Sequence, residues 1–93
     1  MSKYLSTDAR RAAARRIRFA RYGLTPEQYD QMVAERKGCC DGCGRPGHLV
    51  VDHCHATKVV RGLLCYACNQ ALGVLRDDSA TLRRLAEYLD LVR

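Results

Sequence analysis

Two pairs of cysteines, each with two residues between its members, constrain this chain of 93 residues more than any other feature. The pairs are Cys40 with Cys43 and Cys65 with Cys68, and 21 residues separate the first pair from the second. Two intervening residues allow a tight turn that directs both thiolates at one ion, and two such turns complete a tetrahedral site with no open position. The spacing therefore predicts a structural Zn2+ ion held by four cysteines.

Disulfide bonds are the alternative for a short chain with six cysteines. The first residues are polar and basic and include no apolar segment suited to a signal peptide or a membrane span. We therefore expect a cytoplasmic protein with no membrane partner and with metal-bound thiolates. Cys39 and Cys54 remain without a role. Cys39 could replace Cys40 as a ligand, but Cys40 keeps the two-residue spacing to Cys43.

The excess positive charge lies in an N-terminal arm. Residues 1–22 contain seven Lys and Arg side chains and one acid, whereas residues 23–93 contain nine of each sign. A basic helix that ends near Gly23 can follow a phosphate backbone, although a solvated helix with no partner would show the same pattern. We assign residues 1–23 to this helical arm. The arginines expected to contact DNA are Arg10, Arg11, Arg15, Arg16 and Arg18.

The remaining sequence alternates predicted helices with two short strands. Thr7 is expected to cap the basic helix, and Thr25 forms a capping box with Gln28 at the start of a second helix. The later predicted elements are strands at residues 49–51 and 59–64 and helices at residues 66–75 and from Asp78 or Ser79 onwards. This pattern predicts a small zinc-stapled α+β domain.

Polar residues cluster directly after the first predicted strand. Asp52, His53 and His55 lie within four residues of one another, and Asn69 follows the last predicted zinc ligand. Such groups are seldom buried without partners, although either histidine could instead be a zinc ligand or a surface residue. A carboxylate, an amide oxygen and an imidazole suit Mg2+ or Mn2+ with a substrate phosphate. A neutral histidine beside that ion can take a proton from water, so the cluster indicates phosphodiester hydrolysis.

Four motifs follow one another over about residues 24–90. They are Cys40-x-x-Cys43-Gly, Leu49-Val50-Val51-Asp52-His53-x-His55, Val60-Arg61-Gly62-Leu63-Leu64-Cys65-x-x-Cys68-Asn69, and Leu72-Gly73. This ordered combination resembles the phage recombination endonuclease VII family, which belongs to the HNH, or His-Me finger, nucleases. The sequence departs from the family at Cys54, where an aspartate is common.

The resemblance implies a fold and a role for each residue of the polar cluster. The fold would be a ββα-metal core with flanking helices, in a nuclease domain of residues 24–93 that also holds the zinc. Asp52 and Asn69 would bind the catalytic Mg2+ or Mn2+. His53 would be the general base, and His55 would lie near the scissile phosphate.

These features together predict a metal-dependent DNA endonuclease that makes nicks or double-strand cuts and recognises backbone and shape. Linear and branched DNA both stay open as substrates, and both a monomer and a homodimer are consistent with the sequence. Arg61 would hold the phosphate or, alternatively, be a solvated strand residue. A phage-encoded enzyme would act in the host cytoplasm. The alternative function is a non-catalytic zinc-ribbon module that binds nucleic acid, but it leaves the polar cluster without a role.

Overall fold

The computed structural model describes residues 6–92, so residues 1–5 of the predicted arm and residue 93 lie outside the described part. The described chain is a small α+β structure, as the sequence predicts. Its elements are α1 (Thr7–Ala20), α2 (Pro26–Glu35), β1 (Val50–His53), β2 (Val60–Leu64), α3 (Tyr66–Val74) and α4 (Ser79–Val92). Among these elements no helix has both the length and the apolar character that a membrane span requires.

Side-chain caps fix the starts of the first two helices. The predicted capping box of α2 is confirmed, because Thr25 accepts the Gln28 N–H at 3.1 Å and Gln28 accepts the Thr25 N–H at 2.8 Å. Helix α1 is capped by Ser6, whose hydroxyl accepts the Ala9 N–H at 3.1 Å. The prediction of Thr7 as this cap is therefore wrong by one residue. Serine caps at least as well as threonine, so the helix starts at the earlier hydroxyl.

The core joins the basic helix to the rest of the structure. Its buried apolar residues are Phe19, Cys40, Leu49, Val51, Leu63 and Leu64. The Phe19 ring stacks on Tyr29 of α2 with their centroids 4.4 Å apart. The Tyr29 hydroxyl in turn donates to the Leu49 carbonyl oxygen at 2.6 Å. Removal of α1 would expose this stack, so the function of its arginines is better tested by point substitutions than by truncation.

The first strand extends into the polar cluster. The sequence predicts a strand at residues 49–51, but β1 begins at Val50 and continues through Asp52 to His53. Only backbone groups form the hydrogen bonds between strands, so residues with polar side chains can extend a strand when a partner strand is within reach. The second predicted strand, residues 59–64, is confirmed apart from its first residue. Pairing of the two strands therefore fixes the backbone positions of two candidate site residues, Asp52 and His53.

A β-bulge lies next to these residues. The strands pair antiparallel, with Asp52 opposite Gly62 and His53 opposite Val60. Arg61 is therefore the extra residue on β2. Bulges redirect side chains and are frequent beside active sites. Here the bulge accompanies an Arg61 side chain that reaches across to Asp52.

A carboxylate in the first cysteine turn binds that turn to β2. Asp41 accepts hydrogen bonds from the Leu63 N–H at 3.0 Å and from Arg36 Nε at 2.7 Å. The Asp41 N–H donates to the Leu63 carbonyl oxygen at 2.9 Å. The bond from Arg36 also lowers the pKa of Asp41. Gly62 leaves room for this arrangement, because a Cβ atom there would lie 2.5 Å from an Asp41 carboxylate oxygen.

Replacement of Gly62 by alanine is expected to destabilise the domain by about 1–2 kcal/mol, because a displaced Asp41 leaves the Leu63 N–H without its acceptor. Gly73→Ala is the matched control. An added Cβ at Gly73 meets no atom within 4 Å, and alanine favours the helix by up to about 1 kcal/mol. Urea unfolding of both zinc-loaded variants measures these changes. Equal stabilities for the two variants would contradict the role of the Asp41 contacts.

Helix α4 exposes apolar side chains along one side. Leu85 and Leu89 are 44% and 48% exposed, and Val92 is 63% exposed. Their spacing of four and three residues places them on the same face of the helix. Within the described residues, this apolar face is therefore available to a partner.

Candidate active site

Four thiols meet where the first cysteine turn packs against the end of β2. The Sγ atoms of Cys40, Cys43, Cys65 and Cys68 all lie within 4.8 Å of one another, and those of Cys43 and Cys65 are 3.8 Å apart. A tetrahedral zinc ion with Zn–S bonds of about 2.3 Å requires sulfur atoms about 3.8 Å apart. The cluster therefore fits a structural zinc ion. It contains Cys40 and not Cys39, as the two-residue spacing predicts.

Backbone N–H groups favour thiolate charge in this cluster. The Sγ atom of Cys40 accepts three of them at 3.2–3.4 Å, from Gly42, Cys43 and Cys65. Burial opposes ionisation of Cys40, but the donors together lower its pKa to about 6. Hydrogen bonding to Cys65 and burial raise the pKa of Cys68 to about 12. One thiol thus ionises readily, and full ionisation of the cluster requires a compensating cation.

A cleft of about 400 Å³ adjoins the sheet and α3. The predicted catalytic residues all contribute to its walls: Asp52, His53, His55 and Asn69. Arg61, predicted to bind phosphate or solvent, lines the same cleft. Strand β1 supplies Asp52 and His53, and helix α3 supplies Asn69 directly after a cysteine of the cluster. Cysteine clustering and strand pairing therefore bring together groups that are up to 17 residues apart in the sequence.

Arg61 connects two carboxylates across the cleft. Its Nε and Nη2 atoms donate to the two Asp52 oxygens at 2.8 and 2.9 Å, and Nη2 also contacts Asp77 at 3.4 Å. The Asp52 residue is only 8% exposed, and a buried carboxylate needs such a partner. The bond to Asp52 raises the pKa of Arg61. Arg61 is thus partly exposed but held in a fixed position.

The two histidines of the cluster lie together on one side of the chain. The ring centroids of His53 and His55 are 5.1 Å apart, as the alternation of an extended chain predicts. The His53 ring also contacts Tyr22, with a centroid distance of 5.2 Å. His53 is partly buried and His55 is exposed. The His53 ring is therefore oriented by packing while it remains open to the cleft.

Asp77 is a cleft residue that the sequence analysis did not identify. It lies between α3 and α4, where both Arg76 and Asp77 adopt a φ of 57°. Non-glycine residues seldom adopt this conformation, and local strain of this kind often occurs at functional sites. The turn directs the Asp77 carboxylate toward Arg61. The sequence gives no signal for this contact, because it depends on how the two helices are connected.

The arginines predicted to contact DNA differ in their surroundings. Those exposed on α1 are Arg10, Arg11, Arg16 and Arg18. Arg15 instead forms an ion pair with Asp30 of α2, and its guanidinium lies 5.5 Å from the centroid of the Phe19 ring. Arg15 therefore contributes to the packing of α1 on α2 and is less free to bind a ligand.

Comparison with known proteins gives relatives from phages. Two curated relatives, the Gene 59 proteins of Mycobacterium phages L5 and D29, are each 43% identical to this chain over 75 residues. The aligned region covers 75% of this chain and 46% of each relative, so the chain spans about half their length. No solved structure matches the chain.

A family model supplies the assignment. The model for recombination endonuclease VII matches residues 15–91, which include both cysteine pairs and every residue of the cleft. The match thus covers most of the chain and agrees with the motifs that form the thiol cluster and the polar cleft. The chain belongs to the recombination endonuclease VII family.

Proposed function

We propose that this chain is a divalent-metal-dependent DNA endonuclease of the HNH, or His-Me finger, type. One observation carries the proposal: a single cleft gathers two histidines, two carboxylates, two amides and a guanidinium. These groups can supply a base, ion ligands and a phosphate contact, which together suffice for phosphodiester hydrolysis. The family points to a nuclease. The succession of β1, β2 and α3 beside the cleft supports a ββα-metal core.

The oxygen donors of the cleft fit a hard divalent cation. Each Asp52 carboxylate oxygen accepts a hydrogen bond from Arg61 and retains a further lone pair, and Asn69 offers an amide oxygen in the same cleft. Mg2+ is usually bound by one or two carboxylates and keeps several waters. Asp52 and Asn69 would therefore hold Mg2+ or Mn2+. When bound, the ion stabilises the negative charge that develops on the phosphate and the leaving oxygen.

His53 is the general base of the proposed mechanism. Its neutral imidazole accepts the proton of the water that attacks phosphorus in line. Packing against Tyr22 and His55 limits rotation of the ring, which keeps the accepting nitrogen directed at the water. Hydrolysis in this orientation leaves a 5'-phosphate and a 3'-hydroxyl.

Arg61 and His55 hold the scissile phosphate. Among the described residues, Arg61 donates to the two carboxylates through Nε and Nη2, so Nη1 can donate to a phosphate oxygen. Asp52 and Asp77 fix the guanidinium before the substrate arrives. His55 is exposed beside His53 and can donate to the same phosphate.

The exposed arginines of α1 bind the DNA backbone outside the cleft. The phosphate charge that they contact is the same for every base sequence, so recognition rests on backbone and shape. The affinity for DNA should fall steeply as the salt concentration rises. Linear and branched DNA both remain candidate substrates. A homodimer belongs to the same proposal, because a second copy would cover the exposed apolar face of α4 and allow paired cuts on two strands. The phage relatives suggest that the enzyme acts in the cytoplasm of an infected host.

Cleavage of supercoiled plasmid tests the proposed function. The zinc-loaded protein with Mg2+ or Mn2+ is expected to convert supercoiled DNA to nicked and linear forms, and excess EDTA should stop the reaction within the dead time of mixing. End-labelled fragments should carry 5'-phosphates. Protein that binds the plasmid but never cuts it would instead indicate the non-catalytic zinc-ribbon module.

A further inference from the structure

A second cavity lies beside the catalytic cleft. Its volume is about 350 Å³, and it shares Tyr22 and Val51 with the cleft as common wall residues. Its wall residues with basic side chains are Arg15, Arg18 and His48. The cavity thus adjoins the proposed site of hydrolysis and carries basic side chains on its walls.

Aromatic rings hold the two guanidinium groups of this cavity. The Arg18 guanidinium lies 5.0 Å from the centroid of the Phe19 ring. That of Arg15 lies 5.5 Å from Phe19 and 5.9 Å from Tyr29, and it is also paired with Asp30. Guanidinium groups stacked on rings lose less conformational freedom when they bind an anion. Arg18 is exposed, and among the described residues no side chain accepts a hydrogen bond from it, whereas both Nη atoms of Arg15 donate to the Asp30 carboxylate.

We propose that this cavity binds a second phosphodiester group of the DNA strand, next to the one that occupies the cleft. Arg18 donates to its oxygens, and His48, which also lines the cavity, contributes a further donor. Tyr22 separates the two phosphates and contacts the His53 ring, so the site fixes the register of the strand relative to the general base. The inference rests on the proposed function, since it takes DNA as the ligand.

This site can be tested with a series of DNA duplexes in which one neutral linkage is placed at successive positions. Short duplexes, each with one methylphosphonate in place of a phosphodiester, are titrated with the zinc-loaded His53→Ala protein by fluorescence anisotropy. Besides the linkage that Arg61 and His55 hold in the cleft, we expect one neighbouring linkage to weaken binding about tenfold when neutralised, which is typical of a charge-assisted hydrogen bond. When His53→Ala is combined with Arg18→Gln or His48→Gln, the penalty, which is the loss of affinity caused by the methylphosphonate at that neighbouring linkage, should fall to about twofold.

Arg16→Gln is the matched control, since it removes an exposed arginine from the same helix. It should weaken binding to all duplexes and retain the tenfold penalty at the one linkage. A penalty that survives both Arg18→Gln and His48→Gln would overturn the second phosphate site. Cleavage by the unsubstituted protein is a separate readout. If that cleavage is absent while the Arg18-dependent penalty is present, the proposed function fails and the phosphate site stands.

Discussion

Alanine at His53 is expected to reduce the rate constant of DNA cleavage, measured with saturating DNA, by about 10²–10⁴-fold. A positioned general base contributes an acceleration of this size, and alanine leaves no group to take the proton from the attacking water. The affinity for DNA should change little, because none of the proposed phosphate contacts comes from His53. Single-turnover cleavage of a labelled duplex measures the rate constant separately from binding.

The His53→Ala protein should remain folded. The ring is only partly buried, and its aromatic neighbours Tyr22 and His55 lie at centroid distances of 5.2 and 5.1 Å. Zinc content and the unfolding midpoint should therefore match the unsubstituted protein. Partial recovery of cleavage on addition of imidazole would identify the lost function as proton transfer. Cleavage within threefold of the unsubstituted rate, in protein with normal zinc content, would show that His53 is not the base.

The sequence predicts most of the cleft because the patterns that specify it, the cysteine spacing and the alternation along the strand, are local. Two cysteine pairs at fixed spacing specify one ion, and the ion brings the chain on either side of the polar cluster together. The alternation of the chain after the first strand is enough to place His53 and His55 on one side. Asn69 follows a cysteine of the second pair, so closure of the thiol cluster also determines its position.

The contacts that the sequence did not reveal depend on tertiary geometry. The pair between Arg61 and Asp52 needs the bulge in β2, and no sequence pattern specifies a bulge of one residue. Asp77 reaches Arg61 only because two consecutive residues adopt positive φ between α3 and α4. Tyr22 approaches His53 because α1 packs on α2 through Phe19. Charge and composition predicted α1 as a basic arm, but they could not show that Phe19 anchors it in the core.

Loss of one cysteine of the thiol cluster is expected to unfold the domain. The described structure has only six buried apolar residues in its core, and one of them is Cys40 itself. A structural zinc ion contributes on the order of 10–16 kcal/mol in small domains, which exceeds the stability that such a core supplies alone. Cys40→Ser and Cys65→Ser should therefore lose zinc and the cooperative thermal transition. Circular dichroism and metal analysis after gel filtration measure both.

Cys39→Ser is the control that separates loss of the metal from loss of a thiol. Cys39 is adjacent to Cys40 but lies outside the cluster. Its Sγ atom donates a hydrogen bond to the Lys37 carbonyl oxygen at 3.6 Å, and a serine hydroxyl can replace that bond. This variant should keep one zinc per chain and its unfolding midpoint. Excess chelator should then unfold Cys39→Ser and the unsubstituted protein alike. A folded, zinc-free Cys40→Ser protein would contradict the structural role, because the core would then be sufficient without the ion.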